Sequence, residues 1–398
     1  MRFVLFYHSL ISDWNHGNAH FLRGVSRELQ ARGHQVDVFE PARGWSLRNL
    51  RKQHGSAPLE QFRHACPTLR STFYDAETLD LDLALDGADV VIVHEWNDPA
   101  LVARIGHHRA RGGGFRLLFH DTHHRAVSEP DALRALDLAH YDGVLAFGEV
   151  LRRIYEDRGW AARAWTWHEA ADIRLFRPEP PASPASPQAP DLVWIGNWGD
   201  GERAVELCEF LIEPVAALGL RAQLHGVRYP EAAKKALEVA GIAYRGWLPN
   251  FHAPTVFAQA RMTVHIPRRF YAKNLPGIPT IRVFEALACG IPLVCAPWED
   301  CEHLFRPGED YLVARNGEAM REHLRMLKAS PATRKQLAES GLRRILDRHT
   351  CAHRVEELLC ICETIHPRQR VPRARPDAAR DERAGSGALA SAIRSAAR

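Results

Sequence analysis

The sequence predicts an α/β fold made of two doubly wound, Rossmann-like domains that face each other across a cleft. Three observations carry this: apolar runs of strand length alternate with helical periodicity, a proline-rich break follows, and the alternation then restarts. At 398 residues the chain is also too long for one ordinary core, which makes two domains the natural expectation.

The first unit opens with a strand, 2–7, and a polar loop, 9–17. Phe21, Leu22, Val25 and Leu29 then fall on one helical face that ends at Gly33. A second strand at 35–39 completes a strand–helix–strand unit, and further strands are expected at 88–93, 116–120, 142–146 and 164–166. Several are continuous apolar runs, as expected where helices cover both faces of a parallel sheet. The run PEPPASPASPQAP at 178–190 sustains neither helix nor strand and reads as a linker. Strands restart at 191–195, 222–225, 243–245, 262–266 and 291–296, and helices follow at 331–348 and 351–364. The expected organisation is a first domain over 1–177, the linker, and a second domain over 191–348. A final helix at 349–365 and a basic, disordered tail at 366–398 complete it.

Composition narrows the function. Hydrophobic content of 46% and charged content of 25% are those of a globular protein. The net charge of +4 belongs to the tail, which holds eight Arg against Asp377, Asp381 and Glu382. The body is therefore close to neutral, and no nucleic-acid partner is expected. The opening MRFVLFYH lacks the features of a secretory signal, and no apolar stretch reaches membrane-spanning length. The eight cysteines are scattered without a disulfide framework, and a reducing, cytoplasmic setting is expected.

Ligands of such folds bind at the carboxyl ends of the strands, so the loops there carry the chemistry. The most informative stretch runs from Asn274 to Asp310. Pro276, Gly277 and Pro279 keep helix from starting before Thr280, which can cap the helix beyond it, and Gly290 ends that helix. The N–H groups of Ile281 and Arg282 then form an anion site at the helix start, to which the Arg282 guanidinium can add a fork of donors. Glu285, one turn further, can accept two hydrogen bonds from the vicinal hydroxyls of a ribose. A diphosphate and a ribose thus find partners within six residues. An ordinary surface ion pair between Arg282 and Glu285 is the competing interpretation.

The run RVFEALACGIPLV resembles the donor-binding motif of GT-B glycosyltransferases, in particular the CgeB-like (spore maturation protein-like) glycosyltransferase group 1 family. The trailing phrase with Glu302, Phe305, Gly308 and Glu309 is similar too, and the resemblance extends from Asp191 to Leu359. It implies a GT-B fold and a nucleotide-diphosphate sugar as donor substrate, with no bound cofactor. It also implies that Glu285 binds the nucleotide ribose, and that the last helix crosses back to the first domain. In one respect the sequence departs from the family: retaining members often carry a Glu eight positions before the ribose Glu, and here that position is Gly277.

Other donor-side candidates lie in neighbouring loops. Gly196 and Asn197 occupy the turn after the first strand of the second domain, with Arg203 behind them. Arg268 and Lys273 belong to PRRFYAK, and Trp247 and Leu248 follow the strand where related enzymes hold the base. Gly17 and Asn18 would let the first loop approach the donor phosphates. Structural roles stay open for Arg203, as a solvated helix arginine, and for Trp247, as a core residue.

On the acceptor side, four polar clusters sit at strand ends: HGNAH, HEWND, HDTHH and WHEAAD. Glycosyl transfer needs a base for the acceptor hydroxyl or groups that stabilise the leaving phosphate. Asp121 and His120 are the leading candidates, with His20 behind them. His94, Glu95, His120, Asp121, His123 and His124 are also ligand types for zinc or manganese. Metal-independent chemistry is nonetheless expected, because GT-B enzymes generally neutralise the diphosphate with helix N-termini and basic residues. The expected function is transfer of a sugar from a nucleotide diphosphate to an acceptor hydroxyl. A nucleotide-sugar epimerase of the same fold, or a non-catalytic nucleotide-sugar binding protein, is the alternative.

Overall fold

The computed structural model describes residues 1–180 and 189–366. Most of the linker at 178–190 and all of the tail beyond His366 lie outside the described residues. Among the described residues, thirteen strands form two sheets. The first sheet contains β1 (Arg2–Phe6), β2 (Gln35–Pro41), β3 (Ser71–Tyr74), β4 (Val90–His94), β5 (Arg116–Asp121), β6 (Gly143–Ala146) and β7 (Ala164–Thr166). Every pairing is parallel, in the order β3-β2-β1-β4-β5-β6-β7. The second contains β8 (Leu192–Ile195), β9 (Ala222–His225), β10 (Ile242–Tyr244), β11 (Met262–His265), β12 (Leu293–Cys295) and β13 (Leu312–Val313). It too is parallel throughout, in the order β10-β9-β8-β11-β12-β13.

The predicted strands are therefore present, and the additions are β3 and β13. Both are short edge strands: β3 leaves Thr72 and Phe73 exposed, and β13 has only two residues. Neither carries the apolar run that marks a central strand. In each sheet the strand order reverses beside the first strand, between β1 and β4 and between β8 and β11. These are the switch points at which such folds open a crevice.

The first helix, Ala19–Ala31, buries Phe21, Leu22, Val25 and Leu29 against the first sheet, the face its periodicity predicts. The last described helix, Cys351–Glu363, lies against it. The backbone at Ala171 donates to the His349 carbonyl and accepts from the Cys351 N–H, both at 2.9 Å. Trp167 Nε1 donates to the Arg354 carbonyl at 2.8 Å, and Arg116 Nε to that of Cys362 at 2.6 Å. Thr350 and His353 close a capping box at the helix start. The two helices touch at Gly24, where a Cβ would stand 2.4 Å from Cys351 Sγ and 2.8 Å from Asp172 Cβ. Gly24→Val is accordingly expected to cost about 2–3 kcal/mol through overpacking, read as an earlier midpoint in a denaturant titration.

Candidate functional site

The helix Ile281–Ala288 follows β11 through the short helix Arg269–Asn274 and a loop that turns at Gly277, whose φ is +86°. Thr280 stands at the N-cap with extended backbone, but its hydroxyl does not cap the helix. It lies 3.0 Å from His265 Nε2, at the end of β11. The sequence expectation of a Thr280 side-chain cap is therefore corrected: His265 holds the hydroxyl aside. The first N–H groups of the helix are consequently left to acceptors other than Thr280.

One turn in, Glu285 is fully buried. Asn250 Nδ2 donates to its Oε1 at 2.7 Å, Arg282 pairs with Oε2, and His20 Nδ1 lies 3.1 Å from Oε1. Burial alone would raise its pKa. The Arg282 charge, with His20 and Asn250, outweighs that and holds the carboxyl below its ordinary range. Glu285 is thus an ionised, buried acceptor, unlike the surface pair that the competing interpretation required.

The first domain closes directly over this helix. A Cβ on Gly17 would lie 3.1 Å from Ile281 Cγ2, so the loop before the first helix packs closely on the start of the helix Ile281–Ala288 and a larger residue would press on Ile281. Asn18 Nδ2 donates to Glu169 Oε1 at 2.9 Å. His20 reaches Glu285 with one nitrogen and accepts the Asp172 N–H with the other at 2.8 Å. Asp13, held by Arg23 at 2.9 Å, accepts from the Asn250 N–H at 3.0 Å and from Trp247 Nε1 at 3.2 Å. Glu302, from the second domain, accepts the Glu149 N–H at 2.9 Å and lies 3.0 Å from His168 Nε2. Asp13, Glu169 and Glu302 were not singled out in the sequence as site residues. Asp13 and Glu169 lie in loops at strand ends, the signal that could have found them.

The remaining donor-side candidates all belong to the second domain. Asn197 Nδ2 donates to Asn15 Oδ1 at 2.5 Å, across the domain boundary, and its Oδ1 accepts from the Val227 N–H at 2.9 Å. Gly196 donates its N–H to the His225 carbonyl at 2.9 Å. Arg203 is drawn inward: it donates to the carbonyls of Ile266, at 2.9 Å, and Asn197, and burial lowers its pKa to about 10. It shapes the loop with those bonds. Arg268 pairs with Glu202 at 2.8 Å. Lys273 is exposed and lines a 440 Å³ cavity with Trp298 and Phe210. Trp247 packs near His54, ring centroids 4.7 Å apart, and Leu248 lies partly buried against the core.

In the first domain, consecutive residues at the end of β5 point to opposite faces of the sheet. His120 lies among Tyr7, Phe21 and Trp167, with Tyr7 Oη 2.6 Å from its Nδ1. Asp121 accepts from Tyr155 Oη at 2.7 Å and from the His123 N–H at 3.0 Å. Both are fully buried. Burial pushes Asp121 up to about 6 and His120 down to about 3. His94, His16 and His123 are likewise held well below the ordinary histidine range, first by burial. These histidines are therefore neutral at physiological pH. Among the described residues, no group of three or more His, Cys, Asp or Glu is arranged to hold a metal ion.

Two parallel Rossmann-like sheets, a helix start opening on the cleft and a terminal helix lying on the first domain define a GT-B fold. Residues 203–360 match a family described as glycosyl transferase-like. Among curated proteins, none matches the sequence. Among solved structures, sucrose-phosphate synthase from Thermosynechococcus elongatus superposes with a TM-score of 0.62 at 14% identity, covering 92% of this chain and 98% of that one. HepE of Anabaena, in complex with UDP, gives 0.62 at 12% identity over 92% and 100% of the two chains. The T4 phage BGT, in complex with UDP and Mn²⁺, gives 0.58 at 13% over 92% and 99%.

Proposed function

We propose that this protein transfers a sugar from a nucleoside diphosphate, with UDP as the nucleotide, to an acceptor hydroxyl, and that it does so without a metal. The observation that carries the reading is the uncapped start of the helix Ile281–Ala288 with Arg282 and the buried, ionised Glu285 beside it. Two similar structures hold UDP, which supports the choice of nucleotide.

The donor would enter with the domains apart. Separation takes His20 and Asp13 away from Glu285 and Asn250, freeing carboxylate and amide groups for the ribose hydroxyls. The diphosphate would lie on the N–H groups of Ile281 and Arg282 and the Arg282 guanidinium, a preorganised positive end that stabilises charge on the leaving group. Closing the first domain would bring Gly17 and Asn18 over the phosphates and exclude water. The acceptor would lie over the histidine-rich strand ends. There Asp121 holds the backbone of His123 in place, and His120 fixes Tyr7; we assign both to acceptor positioning, and His20 to orienting Glu285.

Thermal-shift measurement with UDP, GDP, ADP and TDP sugars tests the donor site, and UDP sugars are expected to raise the midpoint. If none of them does, the site assignment is wrong. Asp121→Asn is expected to leave donor binding intact and lower transfer by about 100-fold through misplacement of the acceptor. Full turnover would remove Asp121 from the reaction. Turnover lost to a chelator would overturn metal independence, and donor conversion without acceptor would favour the epimerase.

A further inference from the structure

The start of the helix Ile281–Ala288 already faces a carboxyl group from the other domain. Glu169 follows β7 in the first domain, and only 6% of it is exposed. Its carboxyl accepts from Asn18 Nδ2 at 2.9 Å, and it lies close enough to the start of the helix Ile281–Ala288 for the backbone N–H of Ile281 to favour its charged form. Asn18 is itself buried and leaves its Oδ1 without a partner. The charged and titratable groups around Glu169 come from every neighbouring element: Arg282 and Glu285 from the donor helix, and Tyr271 from the segment before it. His20, from the first helix, stands behind Glu285.

A carboxylate at a helix start occupies the place that a phosphate oxygen takes there. We infer that Glu169 is a resident competitor for the donor diphosphate, so that a nucleoside diphosphate takes the helix start only as Glu169 withdraws or takes up a proton. This rests on the reading of that helix start as the diphosphate site. Two anions cannot share one N–H end in a buried cleft, because their repulsion is poorly screened there. Protonation removes the conflict and leaves a neutral acid beside the phosphate. The environment favours that outcome. Burial pushes Glu169 up to about 8 against the bond from Asn18, and Glu285 adds to the rise while Arg282 and the Ile281 N–H oppose it.

The sign follows by linkage. Below about pH 8 the carboxyl is largely protonated and the nucleotide meets little competition. Above it, binding requires a proton, and affinity falls by about tenfold per pH unit until withdrawal becomes the easier route. Glu169→Gln keeps an acceptor for Asn18 but cannot ionise.

Calorimetric titration of both proteins with UDP, in two buffers of different ionisation enthalpy between about pH 7.5 and 9, tests the inference, because UDP's own titration is common to both. Wild type is expected to take up close to one more proton than the Gln variant at the upper pH, and to bind about tenfold more weakly there. Binding by the variant alone also supports the competitor role, since the carboxylate then blocks the site outright. Equal pH slopes and equal proton uptake would overturn it while leaving the diphosphate site standing. If neither protein binds UDP, the site reading itself fails and the inference falls with it. Wild-type proton uptake is measured without any substitution, so a poorly folded variant does not remove the test.

Discussion

Glu285→Ala is expected to abolish nucleotide binding and to lower the stability of the unliganded protein by about 3–5 kcal/mol, the cost of breaking a buried charge pair from one side. Three partners converge on this carboxylate: Arg282 one turn back, Asn250 from the segment after β10, and His20 from the other domain. Removing it leaves the Arg282 guanidinium and the Asn250 amide facing a cavity, and cuts one of the ties that close the cleft. Glu285→Gln separates the two effects. Its amide oxygen can still accept from Asn250, so it is expected to recover part of the stability, while a ribose loses its charged acceptor and binding falls by about 10–100-fold. Thermal unfolding with and without UDP reads both quantities. If Glu285→Gln binds UDP like wild type, Glu285 is not the ribose acceptor. The pH dependence has a definite sign as well. Glu285 is held below the ordinary carboxylate range, so its contribution is complete at neutral pH and is lost only as pH falls through that depressed value.

The fold was legible because its signals are local. Continuous apolar runs mark buried parallel strands, and the central strands stand at the predicted places, whereas β3 and β13 lack the run because an edge strand has one side to bury and few residues to do it with. The helix start at Ile281 was legible for a related reason, since Pro279 and Gly277 constrain the backbone whatever lies around them. The site was less so, because its partners converge from far along the chain. Nothing near Glu169 says that it will reach Ile281, or that Asp13 will bridge to Asn250. Direction was a second obstacle. His120 and Asp121 stand together in the sequence at a strand end, yet the alternation of a strand sends one toward Trp167 and the other toward Tyr155. Arg203 shows a third: a basic residue at a strand-end loop can spend its donors on the loop's own carbonyls.

Restoring the carboxylate that related sequences place eight residues before the ribose Glu is expected to damage this protein. At Gly277 the φ of +86° disfavours any side chain by about 1–2 kcal/mol. The first carbon of that side chain would meet Cys301 Sγ and Glu302 Oε1, each at 2.8 Å. Overpacking adds about 1–3 kcal/mol, and the new carboxylate would stand beside that of Glu302. Gly277→Glu should therefore unfold earlier than wild type, with no gain in turnover. Glu302 occupies the space, and it is itself committed to the Glu149 N–H and His168 across the cleft. The two positions should thus be coupled. Glu302→Ala alone loosens the contact between the domains, but in the Gly277→Glu background it also relieves the clash and the repulsion. The double variant should be more stable than the sum of the two single losses, by about 0.5–3 kcal/mol. Additive losses would mean that the two sites do not share this space. A Gly277→Glu protein with unchanged stability and higher turnover would mean that the sugar subsite follows the pattern of the related sequences after all.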